Sequence, residues 1–354
     1  MKSYQVTAFG EALEESVEET PVPQGTEVLV RVAACGVCHS DVHLRDGFFD
    51  LGDDGRLDLS RGLPLPMTLG HEVAGEVIAL GPEAASADNP IAIGDQRVIY
   101  PWIGCGDCPA CAEGTEHLCR APRNIGLQLG GGYSDHVLVP HPRYALSFDG
   151  MPIEEACTFA CSGLTSYSAL KKVQRLQPSD PLVIIGAGGV GLAGVRLAEH
   201  VTGVRPVVAE ISPERCEAAV AAGACETIDP SADGAARGFI KASAGGAAAV
   251  IDFVGSAETA RFGFDILRKG GKMIVVGLFG GGLNVPVPHF PIREISISGS
   301  YVGTLAELHE LLALASQGKV ARAAVEARAL DRAEETLSAL AEGRITGRAV
   351  LVPS

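Results

Sequence analysis

The sequence predicts an α/β protein built as two domains, and three observations predict it. The chain has 354 residues, too many for one small core. Its 44 glycines and 5% aromatic content suit tight turns around a sheet better than an all-β or coiled-coil chain. Residues 178–298 differ in pattern from both flanks. They read as apolar strands separated by helical segments, whereas the ends alternate apolar and polar side chains.

Charge and termini narrow the function classes. A net charge of −15 disfavours nucleic acid and anionic membranes, which need a basic surface. The opening MKSYQVTAFG has no basic stretch followed by an apolar run, so no secretory signal is expected. The most apolar stretch, Pro181 to Ala198, is broken by glycines and Arg196 and suits a buried strand-turn-helix rather than a membrane span. A cytoplasmic location follows as the expectation. Ten cysteines in such a chain point to metal or catalysis before disulfides. Cys35, Cys157, Cys216 and Cys225 fall outside the two clusters below and are expected to be free buried thiols.

In chain order, Tyr4, Val6 and Ala8, then Val28, Val30 and Val32, alternate around a PVPQG turn as antiparallel strands do. In CGVCHSDVH, Cys35 and Cys38 have the spacing of a redox pair or half a zinc finger, but only Cys38 has partners elsewhere. Leu44–Leu69 is polar and rich in glycine and proline, which predicts a long loop that is a lid or binding loop, or else disordered. Phe48 and Phe49 within it could close over a substrate or simply pack. GHEVAGEVIALGPE then sets His71 and Glu72 side by side ahead of a strand, and FACSGLTS puts Cys161 at a turn in a helical region. Cys38, His71 and Cys161 supply two thiolates and an imidazole, three corners of a zinc tetrahedron. The fourth corner stays open, as a catalytic zinc requires.

WIGCGDCPACAEGTEHLC holds Cys105, Cys108, Cys111 and Cys119 on one short loop. Four thiolates close a tetrahedron, so this site reads as a structural zinc. In PLVIIGAGGVGLAGVRLAEH an apolar strand meets a glycine turn and a helix. Gly186, Gly188 and Gly191 fill the G-x-G-x-x-G places, with Gly189 and Val190 completing the turn. Pyrophosphate then lies on the helix N-terminus. The next strand, VRPVVAE, ends in Glu210, whose carboxylate can take both ribose hydroxyls of adenosine and repel a 2′-phosphate, predicting NAD over NADP. AAAVIDFVG and GKMIVVGLF supply further strands. A helix at Leu305–Ser316 and a strand near Ala349–Val352 end the chain.

These motifs resemble the zinc-dependent alcohol dehydrogenases of the medium-chain dehydrogenase/reductase superfamily over nearly the whole chain. The most specific parts are GHEVAGEVIALG, ACGVCHSD, the four-cysteine lobe and IGAGGVG followed by Glu210, with ISGSYVG and GRITGRAVL at the close. The resemblance implies a GroES-like, mainly β catalytic domain from residues 1–158 and 299–354, with a Rossmann NAD-binding domain, 159–298, inserted. It also implies two Zn²⁺ per chain. Glu72 would neighbour the catalytic zinc, and Asp41 would orient the zinc-bound histidine. Ser40 and His43 would relay the proton. His39 and Arg348 would approach the pyrophosphate, Thr165 the nicotinamide and Arg215 the adenosine ribose. The interval from Cys38 to His71 is longer than is usual in compact members, and the excess lies in Gly47–Leu69.

The implied reaction removes a hydride from an alcohol onto NAD, reversibly, giving an aldehyde or ketone. Trp102, with Phe48 and Phe49, points to an apolar or aromatic alcohol. A polyol or amino-alcohol dehydrogenase of the same superfamily is the alternative. A zinc-independent reductase would lack the Cys38–His71–Cys161 set, and a non-catalytic NAD-binding redox sensor would pair Cys35 with Cys38. Relatives imply a homo-oligomer, a dimer or tetramer, with GLFGGGLNVPVPHF a candidate edge.

Overall fold

The computed structural model describes residues 1–84, 90–243 and 245–353. The chain forms two compact units. The first comprises Met1–Phe48, Asp58–Leu164 and the chain from Val302 on; the second comprises Phe49–Leu57 and Thr165–Tyr301.

In the first unit the strand Val28–Gly36 is the spine of a seven-stranded sheet. Val28, Val30 and Val32 are buried and Arg31 faces solvent, while Leu29, Ala34 and Cys35 are buried as well, so most of the strand is covered on both faces. Glu72–Leu80 runs antiparallel beside it, with Gly36 opposite Glu72 and Cys35 opposite Val73. On the other side Arg348–Val352 pairs through Val350 with Gly36 and through Leu351 with Cys35. Both ends of the chain therefore build one sheet. A smaller sheet joins Glu14–Val17, Lys2–Val6 and Met67–Thr68.

The second unit holds six parallel strands. Across the sheet they run Glu226–Ile228, Val207–Ala209, Leu182–Ile185, Ala247–Asp252, Leu267–Val275 and Ser296–Gly299. Numbered by their own order in the chain this is 3-2-1-4-5-6, the doubly wound order of dinucleotide-binding domains. Leu182–Ile185 is buried on both faces, as a central parallel strand must be. Val183, Ile185, Val250, Phe264 and Met273 fill one core. Helices begin where their sequences allow: Ser212, Ser256 and Thr304 each accept the N–H three residues on. The helix Leu305–Ser316 has the predicted bounds.

The two compact units part at 164/165 and 301/302, and the helix Ser162–Val173 crosses the first of these positions. Two expectations are corrected. The segment Leu44–Leu69 is not a bare loop. The helix His39–Asp46 runs into it, and Phe48–Asp50 pairs with Arg56–Asp58 as a hairpin. Residues 49–57 of that hairpin belong to the second unit, where they lie on a glycine turn. A Cβ on Gly280 would come within 2.4 Å of the Asp50 carbonyl, and one on Gly52 within 3.0 Å of Gly281 Cα. Of the four leftover cysteines, Cys35 and Cys157 are buried, Cys216 is half-buried and Cys225 is exposed.

Candidate metal and dinucleotide sites

Sheet register brings the first cluster together. Cys38 ends the strand-to-helix turn after Gly36 and caps the helix His39–Asp46, where its N–H donates to Asp41 Oδ2 at 2.9 Å. His71 follows Gly70, whose φ of 94° is a turn only glycine adopts freely, and leads straight into Glu72–Leu80. Since Gly36 faces Glu72, the residues just beyond each strand end meet. Cys161 arrives between the 3₁₀ turn Cys157–Ala160 and the helix Ser162–Val173.

The three ligand atoms lie within 4.8 Å of one another, and Cys38 Sγ is 4.0 Å from Cys161 Sγ. Sulfurs on a tetrahedral zinc at about 2.3 Å would stand roughly 3.8 Å apart, so the donor set fits the ion. All three residues are buried. Two thiols and an imidazole sealed from water need a positive partner. The Cys161 hydrogen bond holds the Cys38 thiol well below its ordinary pKa, while that same bond and burial push Cys161 well above its own. A divalent cation bound there would displace the remaining thiol proton, since thiolates are the ligand form. Burial alone would depress His71, but Asp41 and Cys38 override it and raise its pKa.

The surroundings are equally specific. His71 Nδ1 is 3.1 Å from Asp41 Oδ1, a close contact off the hydrogen-bond line, with both side chains fully buried. Tyr133, also fully buried, donates its hydroxyl to Asp41 Oδ2 at 3.2 Å. Ser40 Oγ lies 3.1 Å from Cys38 Sγ and 3.4 Å from His71 Nε2, beside the ligand atoms. The His39 and His43 rings are 5.4 Å apart, and burial, then His39, lowers the His43 pKa from 6.5. Trp102 is buried with its ring 5.2 Å from His71, and its indole N–H donates to the Ala160 carbonyl at 3.1 Å.

Glu72 Oε1 accepts the Ser162 N–H at 3.1 Å, and Oε2 pairs with Arg348 Nη2. Arg348, which the resemblance sets near a pyrophosphate, is buried at this carboxylate and only 6% exposed. Its Nε has no hydrogen-bond partner among the described residues. Burial pushes Glu72 up to about 7 against the pull of Arg348. Gly36 leaves the space: a Cβ there would sit 1.9 Å from Glu72 Oε2.

In the four-cysteine lobe the sulfurs of Cys108 lie 3.5 Å from Cys111 and 3.7 Å from Cys119, with Cys105 4.0 Å from Cys111. Backbone N–H groups of Cys105 and Ala121 point at Cys119 Sγ, and that of Gly106 at Cys111 Sγ, as they would at thiolates. Glu116 is not a surface charge. It is buried and takes the Gly104 N–H and the Tyr144 hydroxyl.

The glycine turn of the second unit carries two kinds of glycine. A Cβ on Gly191 would fall 1.9 Å from the Gly186 carbonyl, so that glycine is needed by the fold itself. A Cβ on Gly188 would meet nothing within 4 Å. Gly188 caps the helix Gly189–Thr202, whose free N–H groups face open space. Val190 accepts the Ser166 hydroxyl through its carbonyl, holding the turn to the preceding helix. Glu210 takes three backbone N–H groups, from Ala187 (2.8 Å), Ile211 (2.8 Å) and Ser212 (3.0 Å). A carboxylate has about four acceptor positions, so about one is left. Thr165 is buried with no hydrogen-bond partner for Oγ1 among the described residues, and Arg215 is half-buried on the helix Pro213–Ala222.

Comparison with known proteins agrees with this geometry. The alcohol dehydrogenase GroES-like domain model matches residues 24–148, and the zinc-binding dehydrogenase model matches residues 189–317. The chain is 36% identical to the NAD-dependent alcohol dehydrogenase of Sulfurisphaera tokodaii across 100% of both chains. It belongs to the zinc-type medium-chain alcohol dehydrogenase family. Within that family it is similar to the crystal structure of the alcohol dehydrogenase from Aeropyrum pernix (TM-score 0.89, 30% identity, 100% of both chains). It is also similar to the D-arabinose dehydrogenase from Sulfolobus solfataricus (TM-score 0.83, 25% identity, 99% of both chains).

The sequence motifs of the family do not mark Tyr133, nor the pairing of Glu72 with Arg348. One available signal was glycine at 36, the last residue of the strand Val28–Gly36, whose φ is not in the left-handed region that would call for glycine. Replacing Gly36 by alanine should lower stability by about 1–3 kcal/mol, because the new methyl must displace Glu72. Gly188→Ala should cost about 1 kcal/mol or less. Urea unfolding followed by Trp102 fluorescence and by circular dichroism, respectively, checks the contrast.

Proposed function

We propose that this chain oxidises an apolar alcohol to the aldehyde or ketone with NAD as hydride acceptor, reversibly, using zinc held by Cys38, His71 and Cys161. The convergence of those three buried ligand atoms within 4.8 Å of one another carries the proposal. Bound there, zinc would supply the Lewis acidity that lets an alcohol hydroxyl lose its proton near neutral pH. A second zinc is assigned to Cys105, Cys108, Cys111 and Cys119, where four sulfurs leave no place for substrate.

The protein's own groups do the remaining work. Ser40, beside the ligand atoms, receives the hydroxyl proton and passes it toward His43. Because burial lowers the His43 pKa, its ring is neutral at pH 7 and free to take that proton to solvent. Asp41 fixes the His71 ring, and Arg348 with the Ser162 N–H holds Glu72 at the back of the site. In the second unit the pyrophosphate would rest on Gly188, Gly189, Val190 and Gly191 at the helix N-terminus. The last acceptor position of Glu210 would take a ribose hydroxyl and repel a 2′-phosphate, with Arg215 beside the adenosine. Thr165 Oγ1 would meet the nicotinamide. The buried ring of Trp102 next to His71, its N–H already used by Ala160, supports an apolar substrate.

Metal analysis of the purified protein should give two zinc ions per chain, and Cys161→Ser should keep one while losing about 10³-fold or more in kcat, the equivalent of roughly 4 kcal/mol. Equal zinc in both proteins would overturn the assignment. Protonated His43 cannot accept a proton, so alcohol oxidation falls as pH drops through its pKa. With that pKa below 6.5, the low-pH limb should lie under pH 6.5 and vanish in His43→Gln. A panel of benzylic, linear and polyol alcohols, read as NADH formation, should favour the first two. Faster turnover of a sugar or polyol would move the substrate toward that of the D-arabinose dehydrogenase.

A further inference from the structure

Tyr133 is tied to the three-ligand cluster more tightly than any motif indicates. The segment Gly131–Tyr133 runs beside the residues that lead into His71. Gly131 N–H donates to the Thr68 carbonyl (3.0 Å), Gly132 N–H to Gly70 (2.7 Å) and Tyr133 N–H to Leu69 (2.9 Å). The Tyr133 carbonyl accepts the Tyr4 N–H at 2.8 Å, so the backbone on both sides of its Cα is fixed. Gly70 makes room for the ring: a Cβ there would stand 2.5 Å from Tyr133 Cδ1. A Cβ on Gly132 would stand 2.5 Å from Val73 Cγ2, so the strap itself lies close on the sheet. The ring thus lies over the residue that precedes His71.

From there the fully buried hydroxyl reaches Asp41 Oδ2 at 3.2 Å. The same Oδ2 takes the Cys38 N–H, and Oδ1 is 3.1 Å from His71 Nδ1. Asp41 therefore touches two ligand residues and is fully buried. The phenol is the side-chain donor that aims it. A buried carboxylate that loses a donor is freer to rotate, and rotation moves the oxygen that lies against the imidazole.

We propose that Tyr133 is a positioning residue that, through Asp41, sets how tightly Cys38, His71 and Cys161 hold their metal. The proposal rests on the zinc assignment of those three residues. It places the control of metal retention 92 positions from Asp41 in the chain, on a strap that touches no ligand atom.

The test follows zinc release from the zinc-loaded protein into a chromogenic chelator. The four-cysteine lobe serves as internal reference, and the Co²⁺-substituted protein is examined by visible absorption. Tyr133→Phe, which removes only the hydroxyl, should release the three-ligand metal roughly tenfold faster, shift the cobalt bands, and leave release from the lobe unchanged. Tyr100→Phe is the control. Its hydroxyl is equally buried and donates to the Gly303 carbonyl at 2.9 Å, away from Asp41, and its release should match the parent. In an Asp41→Asn background, Tyr133→Phe should add less than twofold. Parent-like release in Tyr133→Phe, or an equal gain in Tyr100→Phe, overturns the proposal. Should Tyr133→Phe fail to fold, Asp41→Asn alone decides: it must speed release, and parent-like release there overturns the idea. A parent protein that takes up no metal at the three-ligand site would instead sink the proposed function.

Discussion

The site depends on one backbone pairing. Val28–Gly36 and Glu72–Leu80 run antiparallel with Gly36 facing Glu72, and this fixes how Cys38 and His71 approach. A slip of one residue would turn every side chain of one strand to the opposite face. Val28, Val30 and Val32 are buried and Arg31 faces water, so the slip is heavily disfavoured. The last strand then docks on the same spine and delivers Arg348 to Glu72, two residues separated by 276 positions. Cys38, His71 and Glu72 meet through this register, and a second pairing on the same strand brings Arg348 to Glu72.

Buried charge around the cluster is balanced rather than avoided. Asp41, Glu72, Arg348 and the two thiols are all shut away from water, an arrangement that costs several kcal/mol unless each group has partners. Here each has one. Asp41 takes two donors, Glu72 takes a backbone N–H and a guanidinium, and the sulfurs share a proton. The hydrogen bond to Cys38 and burial raise Cys161, and burial raises Glu72 to about 7. Three buried ligand atoms within 4.8 Å of one another are the geometry that suits a metal ion.

What could be read from the sequence was what obeys a local rule. The four sulfurs of the lobe lie within one loop, the glycine turn sits between an apolar strand and its helix, and Thr304 with Glu307 announces a helix that starts where expected. The fold followed from these and from the alternation of Val28, Val30 and Val32. Long-range partners left no such trace. Tyr133 looks like any strand aromatic until Gly70 and Asp41 are seen around it. Glu210, expected from its position to anchor the ribose, is held by three backbone N–H groups. Leu44–Leu69 read as loop because its hairpin strands are only three residues each and mostly exposed, so no burial period was there to find.

That hairpin carries a consequence for recombining relatives. Residues 49–57 are encoded among the strands of the first unit but rest, backbone on backbone, against the turn at Gly280–Gly282. With so little space, neither surface tolerates a methyl group it was not shaped around. A chimera spliced only at 164/165 and 301/302 would seat one parent's hairpin on the other parent's turn. The natural cassette for exchange therefore comes in two pieces, and the shorter is nine residues long.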